Sequence, residues 1–306
     1  MLKLGDRSMA DIKLFNIKGN VKEYQSGTVT LEKELQTVIE NNMATFFGAT
    51  FLASEYRTTD GGRMDSIGID ENHCPVIFEY KRSMKENVIN QGLFYLNWLL
   101  DHKDSFKVLV IEKLGLNEAS KIDWTMPRVV CVAGDFTKYD ESAIKQMNRN
   151  ISLIRYKKFG DDLLMLEQVN ENIAAAIPES DTTTATKQQK DKSFAEQYKN
   201  AKLEIKTLYD DLRNYILSQG DDISENSLKL YTAFKKIKNI VCVEVLNNRL
   251  ILHLRLDVTT VEYEDGFSRD TSQIGHWATG DVEVVIRNKS DFEKAKPFID
   301  RAYNEN

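Results

Sequence analysis

The sequence predicts an α/β domain followed by a smaller α+β domain. Three observations predict this. Apolar runs of strand length alternate with segments of helical spacing as far as residue 170, the pattern of a sheet covered on both faces. The composition then changes: "IPESDTTTATKQQKDKS" has few apolar residues and reads as a flexible linker. Beyond it lie a long amphipathic segment, an apolar hairpin, one more strand and a closing helix. The boundaries are drawn at 1–175, 176–195 and 196–306.

In chain order, 11–25 reads as an extended pair around Gly19-Asn20. Thr28 or Thr30 can cap a helix whose stripe is Leu31, Leu35, Val38 and Ile39, with Gly48 ending it. The run 50–58 alternates like a strand, and 63–70 and 74–81 flank the polar turn Glu71-Asn72-His73, a hairpin signal. Ser83 can cap a second helix reaching Asp101. "FKVLVIE" (106–112) and "RVVCVAG" (128–134) read as buried strands, 137–149 as helical with Ile144 and Met147, and 151–157 and 163–169 as strands. In the second domain, 194–220 reads as one helix with Leu203, Leu208, Leu212 and Ile216 inward, stopped by Gly220. Two strands meet around Asn247-Asn248, "GDVEVVIR" is another strand, and Ser290 or Asp291 caps the last helix.

The chain has 306 residues and a formal net charge of -6, so it is no basic nucleic-acid coat; nucleic acid would need a local basic surface. Cys74, Cys131 and Cys242 are far apart and form no CxxC pair, which argues against a disulfide framework and for a reducing compartment. No signal peptide is evident, and no apolar stretch approaches the roughly 20 residues of a membrane helix. The expectation is a cytoplasmic protein with no membrane partner.

The chemistry concentrates in "GGRMDSIGID" and "PVIFEYKR". On a strand, Glu79 and Lys81 share a face. Antiparallel pairing around the turn brings Asp65 beside them. Two carboxylates and one lysine then meet at one end of a sheet. Hard divalent cations prefer oxygen ligands and keep several waters. Such an ion lowers the pKa of its water and offsets charge growing on a phosphoryl group, while a lysine orients that water or stabilises the oxyanion. On the next helix Asn87, Gln91 and Tyr95 recur at i, i+4, i+8, a spacing that lets Gln91 hold Lys81, a water or a backbone phosphate and lets Tyr95 orient Gln91.

Together, "GGRMDSIGID…PVIFEYKR…QGLFY" resembles the PD-(D/E)XK nuclease superfamily, its RecB-like and NucS-like branches above all. The likeness covers 28–112 well and extends loosely to 170. It implies a restriction-endonuclease-like mixed sheet flanked by helices. It also implies a Mg²⁺-dependent DNA endonuclease (Mn²⁺ substituting), with Asp65 and Glu79 on the metal, Lys81 assisting water, and Gln91 and Tyr95 in support. In that family an acidic residue of the first helix often completes the metal site. Glu32, Glu34 and Glu40 are the candidates: Glu32 and Glu34 flank the Leu31–Leu35–Val38 stripe almost symmetrically, Glu40 lies opposite it, and Glu32 is favoured. Arg63, Arg82 and Lys85 surround the cluster as phosphate contacts. A role in repair, restriction or phage defence follows by analogy only. A homodimer would suit two cuts in one duplex. The region containing "IGHWATGDVEVVI" resembles an uncharacterised C-terminal module that accompanies such nucleases.

The plainer readings differ. Asp65–Lys81 can be a sheet-edge salt bridge, and the fold a catalytically silent DNA-binding module. A small-molecule-binding protein acting through its C-terminal domain is the third class. His73-Cys74 lacks partners at zinc spacing. His276-Trp277, between Gly275 and Gly280, reads first as an aromatic loop anchor. The groups Arg155-Lys157-Lys158 and Lys235-Lys236-Lys238 read as solvated surface or as further phosphate contacts.

Overall fold

The computed structural model describes residues 12–27, 32–81, 88–173, 193–274 and 278–306. The ribbon expected around Gly19-Asn20 forms from β1 (Leu14–Asn16) and β2 (Lys22–Tyr24). β3 (Ser26–Gly27) follows, then α1 (Glu32–Asn41) and α2 (Met43–Phe47), closed by Gly48. β4 (Ala49–Arg57), β5 (Arg63–Asp70) and β6 (Pro75–Lys81) form an antiparallel meander. After α3 (Val88–Asp101), α4 (Lys103–Leu114) and α5 (Leu116–Ala119) come β7 (Arg128–Ala133), α6 (Lys138–Ile144), β8 (Asn150–Phe159) and β9 (Leu163–Asn172).

These strands make one mixed sheet in the order β3-β8-β7-β6-β5-β4, with β9 added on β8. Pairing is parallel between β6 and β7 and between β7 and β8. Both faces are covered, as the near-continuous apolar strands require. Leu35, Ile39, Met43 and Phe47 of α1 and α2 pack on Val76, Phe78 and Tyr80. Ile89, Leu96 and Leu99 of α3, with Phe106 of α4, pack on Ile77, Val129 and Cys131. Gly92 allows the closest approach: a Cβ there would stand 2.3 Å from a Val129 methyl.

Two sequence expectations in this half are corrected. Residues 106–112 lie in α4, not in a strand. Only Phe106, Leu109 and Val110 turn inward, at helical spacing, while Val108 and Ile111 are exposed. Val38 is also exposed rather than part of the α1 stripe. The cap positions Thr28, Thr30 and Ser83 lie outside the described residues, as does most of the expected linker.

The second half opens with α7 (Phe194–Asn200), capped by Ser193 and Glu196, so the last residues assigned to the linker are helical. The expected single helix breaks at Ala201-Lys202, both extended, and resumes as α8 (Leu203–Leu217), which ends before Gly220. Leu203 starts α8 and is exposed; Leu208, Leu212 and Ile216 are buried as expected. β10 (Ser224–Ser227), β11 (Thr232–Lys235), β12 (Asn239–Leu246), β13 (Arg249–Leu254), β14 (Ser268–Asp270) and β15 (Val282–Ile286) form an antiparallel sheet in the order β10-β11-β12-β13-β15-β14. α9 (Lys289–Glu305) closes the chain. Its cap is Asn288, whose side chain accepts from Asp291 N, rather than Ser290 or Asp291. Leu212, Ile216, Phe292 and Ile299 of α8 and α9 cover one face of this sheet.

The two sheets meet at the β5–β6 turn. Tyr231 and Asn239 both donate to Asn72 Oδ1, at 3.0 and 2.6 Å. Arg255 pairs with Glu71, whose carbonyl also accepts from Thr279 at 3.2 Å. Cys74 and Met126 pack with Tyr231, Ala233 and Cys242. Lys235 on β11 is buried and donates to Glu171 on β9 at 2.6 Å. The cluster Lys235-Lys236-Lys238 is therefore not a solvated face: its first lysine is a junction residue, and Lys236 faces Asp222. All three cysteines are free and buried. Among the described residues no helix is long and apolar enough to cross a membrane.

Breaking a buried ion pair leaves a charge without a partner, a loss of about 3–5 kcal/mol. Lys235→Ala is therefore expected to lower stability by that order in urea unfolding. The pair Lys235→Met/Glu171→Leu should recover most of the loss. Equal losses in both variants would mean that packing, not charge, makes the junction.

Candidate functional site

The ladder between β5 and β6 pairs Ser66 with Phe78 and Ile67 with Ile77. Continued by one residue, it sets Asp65 opposite Glu79. Both lie on the face that Ile77 presents to α3. The two carboxylates are knitted into the strand ends: Asp65 N donates to Glu79 Oε1 at 3.3 Å, and Tyr80 N donates to Asp65 Oδ2 at 3.0 Å. Lys81 Nζ lies 4.0 Å from Asp65 Oδ2 and 3.5 Å from Glu32 Oε1. Asp65, Glu79 and Lys81 thus lie together, and Glu32, expected to complete a metal site, is placed against the lysine.

Burial governs the charge at this site. Glu79 is only 1% exposed. Desolvation, and then the neighbouring charge of Asp65, push its carboxyl up to about 9, against the weaker pull of Lys81. Glu79 is therefore protonated at neutral pH unless further positive charge arrives. A bound divalent cation would supply that charge. The donor set, carboxylate oxygens with no sulfur or imidazole, fits Mg²⁺ or Mn²⁺ keeping several waters. Among the described residues no group of three or more His, Cys, Asp or Glu side chains could hold a metal ion. The fit therefore rests on two carboxylates, and Glu32 pairs with the lysine.

α1 contributes more than Glu32. Gln36, 3% exposed, donates to Asp65 O at 2.7 Å and to Glu40 Oε1 at 2.8 Å. Ser66 Oγ donates to the same Glu40 oxygen at 2.6 Å. Glu40 thus faces the sheet, not the side opposite the stripe as expected. Glu32, Gln36 and Glu40 form an i, i+4, i+8 row laid along β5 and β6. That spacing was the overlooked signal for Gln36.

Glu55 was also missed. It sits opposite Asp65 on β4 with φ of 54°, in the left-handed region unusual for a non-glycine residue. Its carboxylate binds Lys33 at 3.1 Å and Arg63 at 2.7 Å. Burial raises the Glu55 carboxyl, but the hydrogen bond and charge of Lys33 outweigh it and hold the group low. No sequence signal marked this residue.

The helical pair reads differently from expectation. Tyr95 is buried, and its hydroxyl accepts from Arg63 N at 3.2 Å. Its ring lies where a Cβ on Gly62 would be, 2.7 Å away, so the glycine before Arg63 makes room for it. Gln91 borders the buried stripe of α3 and is exposed, with no hydrogen bond to Asp65 or Glu79. Tyr95 therefore fixes the start of β5 and does not orient Gln91. Arg63 is exposed but ion-paired to Glu55. Arg82, Lys85 and Asn87 lie outside the described residues, as do Gly275, His276 and Trp277. Arg155 is paired with Asp135 and Glu167, and Lys158 with Glu34, so that cluster is largely neutralised.

Comparison with known proteins adds little to the chemistry. Residues 194–306 match a family described as a domain of unknown function (DUF5655). An uncharacterized protein of Haemophilus influenzae is 28% identical over 300 residues, spanning 95% of this chain and 99% of its own, so the likeness runs through both halves. A repair endonuclease from Pyrococcus abyssi is 19% identical, with a TM-score of 0.28, over 42% of this chain and 49% of its own. The chain thus matches about half of that protein's length, and a superposition this poor carries no argument.

A carboxyl raised from 4.5 to about 9 means that the folded chain binds more protons than the unfolded chain across that window. Stability then falls as pH rises through it. In chelator, Glu79→Gln is expected to match the parent chain at pH 4 and to melt several degrees higher at pH 8. Equal melting temperatures at pH 8 would show that Glu79 is not held protonated.

Proposed function

We propose that the first half of the chain is a metal-dependent phosphodiesterase acting on DNA, with Asp65, Glu79 and Lys81 as its catalytic group. The observation that carries this reading is the pairing of Asp65 with a buried, charge-starved Glu79 beside one primary amine. Burying a carboxyl this deeply costs stability unless it is paired. A strand built purely for packing would not place one opposite a second carboxylate.

Asp65 and Glu79 would hold Mg²⁺, with Mn²⁺ as substitute. Bound there, the cation would supply charge to the phosphoryl oxygens and acidity to a water. Lys81 would orient the attacking water with its Nζ and steady negative charge on the phosphate. Glu32, on the other side of the amine, would hold it in place. Gln36 holds the Asp65 backbone in place, and Tyr95 anchors β5 through Arg63 N. Arg63, released from Glu55, would meet a flanking phosphate, and Arg82 and Lys85 are proposed for the same role.

One observation favours a second reading, a DNA-binding module that does not cut. Lys81 is 7% exposed and lies between Glu32 and Asp65, as a structural ion pair would. These ion pairs are long, at 3.5 and 4.0 Å.

The purified chain is expected to cut linear, supercoiled or single-stranded DNA with Mg²⁺ and not with EDTA. Lys81→Ala should lose cleavage by a factor of at least about 10² and keep DNA binding. Mg²⁺ should raise the melting temperature of the parent chain and leave Glu79→Gln unmoved. Binding without cutting, in any metal, would favour the module.

A further inference from the structure

The sheet of the second half has one face under α8 and α9, filled by Leu250, Leu252, Val284 and Ile286. The alternate residues Arg249, Ile251, Val285 and Arg287 therefore project from the opposite face. The register pairs Leu250 with Ile286 and Ile251 with Val285. Extended by one residue, it sets Arg249 directly across from Arg287. Like charges facing each other across strands are destabilising. Neither guanidinium has a carboxylate partner among the described residues, although the backbone N–H of Arg287 donates to Asp291 Oδ2 at 2.9 Å. Arg287 donates to the Gly266 carbonyl at 2.8 Å. The Nε of Arg249 is buried with no hydrogen-bond partner among the described residues.

A third guanidinium, Arg269 of β14, stands beside them but is committed to Glu283 by two hydrogen bonds of 2.7 Å. The three arginines, with Ile251 and Val285, line a cavity of about 360 Å³. Asp265 and Glu283 line it too, so three positive groups face two negative ones. Glu283 is spent on Arg269, which leaves Asp265 as the remaining carboxylate that lines the cavity. This local excess of positive charge sits in a chain of formal net charge -6.

We propose that this cavity binds a small organic phosphate of mononucleotide size. The planar guanidinium fork matches phosphate oxygens in pairs. An anion between Arg249 and Arg287 turns their mutual repulsion into two attractions. Ile251 and Val285 offer an apolar floor to the rest of the ligand, and the volume lies in the range of small-molecule sites. The inference uses no residue of the Asp65–Glu79–Lys81 group.

The test is thermal melting and calorimetric titration of the full chain. The probes are adenosine 5′-monophosphate, adenosine, a short single-stranded oligonucleotide, and sodium chloride at matched ionic strength. The monophosphate is expected to raise the melting temperature by several degrees, and adenosine and salt not to. Arg249→Ala/Arg287→Ala should weaken monophosphate binding at least about tenfold. The single variants Arg249→Gln and Arg287→Gln, which relieve repulsion, should fold at least as stably as the parent and also bind more weakly. Lys81→Ala should bind like the parent, so failure here and failure of the nuclease reading are separable. No shift with the monophosphate, an equal shift with salt, or undiminished binding by all three arginine variants would overturn the proposal. A response to the oligonucleotide alone would overturn the free-ligand form and assign the phosphate to a nucleic-acid strand.

Discussion

The register between β5 and β6 is the constraint on which the rest depends. It is held by Ile67 against Ile77 on one face and by Val76 and Phe78 against α1 and α2 on the other. A slip of one residue would turn every side chain of one strand to the other face. Asp65 would then leave Glu79 and enter the apolar layer beneath α1. Because both faces are buried, that error costs several core contacts at once. The carboxylate pair is therefore positioned by hydrophobic packing rather than by any attraction of its own.

The same hairpin carries a second load at its other end. Its turn, Glu71 to Cys74, is gripped by Arg255, Asn239, Tyr231 and Thr279 of the second sheet. Asp65 and Asp70 bracket one rigid strand, so the two ends are joined by paired backbone with no loop between them. A shift of the second sheet would load this hairpin directly, and β9 through Lys235 and Glu171. The buried Lys235–Glu171 pair adds orientation: a junction held by apolar contact alone, such as Cys74 on Tyr231, could slide, whereas a buried ion pair tolerates few geometries.

Much of this was legible in the sequence because burial leaves a strong mark on strands. The runs at 63–70, 74–81 and 128–134 were placed within a residue or so, and Asp65, Glu79 and Lys81 with them. Residues 106–112 failed for the same reason. Phe106, Val108, Leu109, Val110 and Ile111 are apolar on every side, so the helical trio Phe106, Leu109 and Val110 is hidden among exposed neighbours. Gln36 was overlooked because an apolar stripe was sought on α1, and a polar residue aimed at a backbone carbonyl lies outside that pattern. Tyr95 was assigned to Gln91 by spacing, yet its hydroxyl found Arg63 N, a partner 32 residues away that no local pattern reveals. Lys235 read as surface because a lysine is almost never fully buried unless paired, and its partner is 64 residues distant.

Glu79 and the Arg249–Arg287 pair share one physical character. Each concentrates like charge where a packed sheet gains nothing from it: two carboxylates across β5 and β6, two guanidiniums across β13 and β15. A fold selected only for stability would replace either by apolar or complementary pairs at no loss of register, since β-branched residues fit both positions well. The costs differ in kind. Glu79 is closed from water, so its penalty is desolvation, relieved by a proton or a cation. Arg287 is exposed, so its penalty is screened Coulomb repulsion and is smaller. The first site should therefore respond to pH and metal, and the second to anions and salt. These dependences are independent of each other, which makes the two sites separable in solution even though one hairpin joins the sheets that carry them.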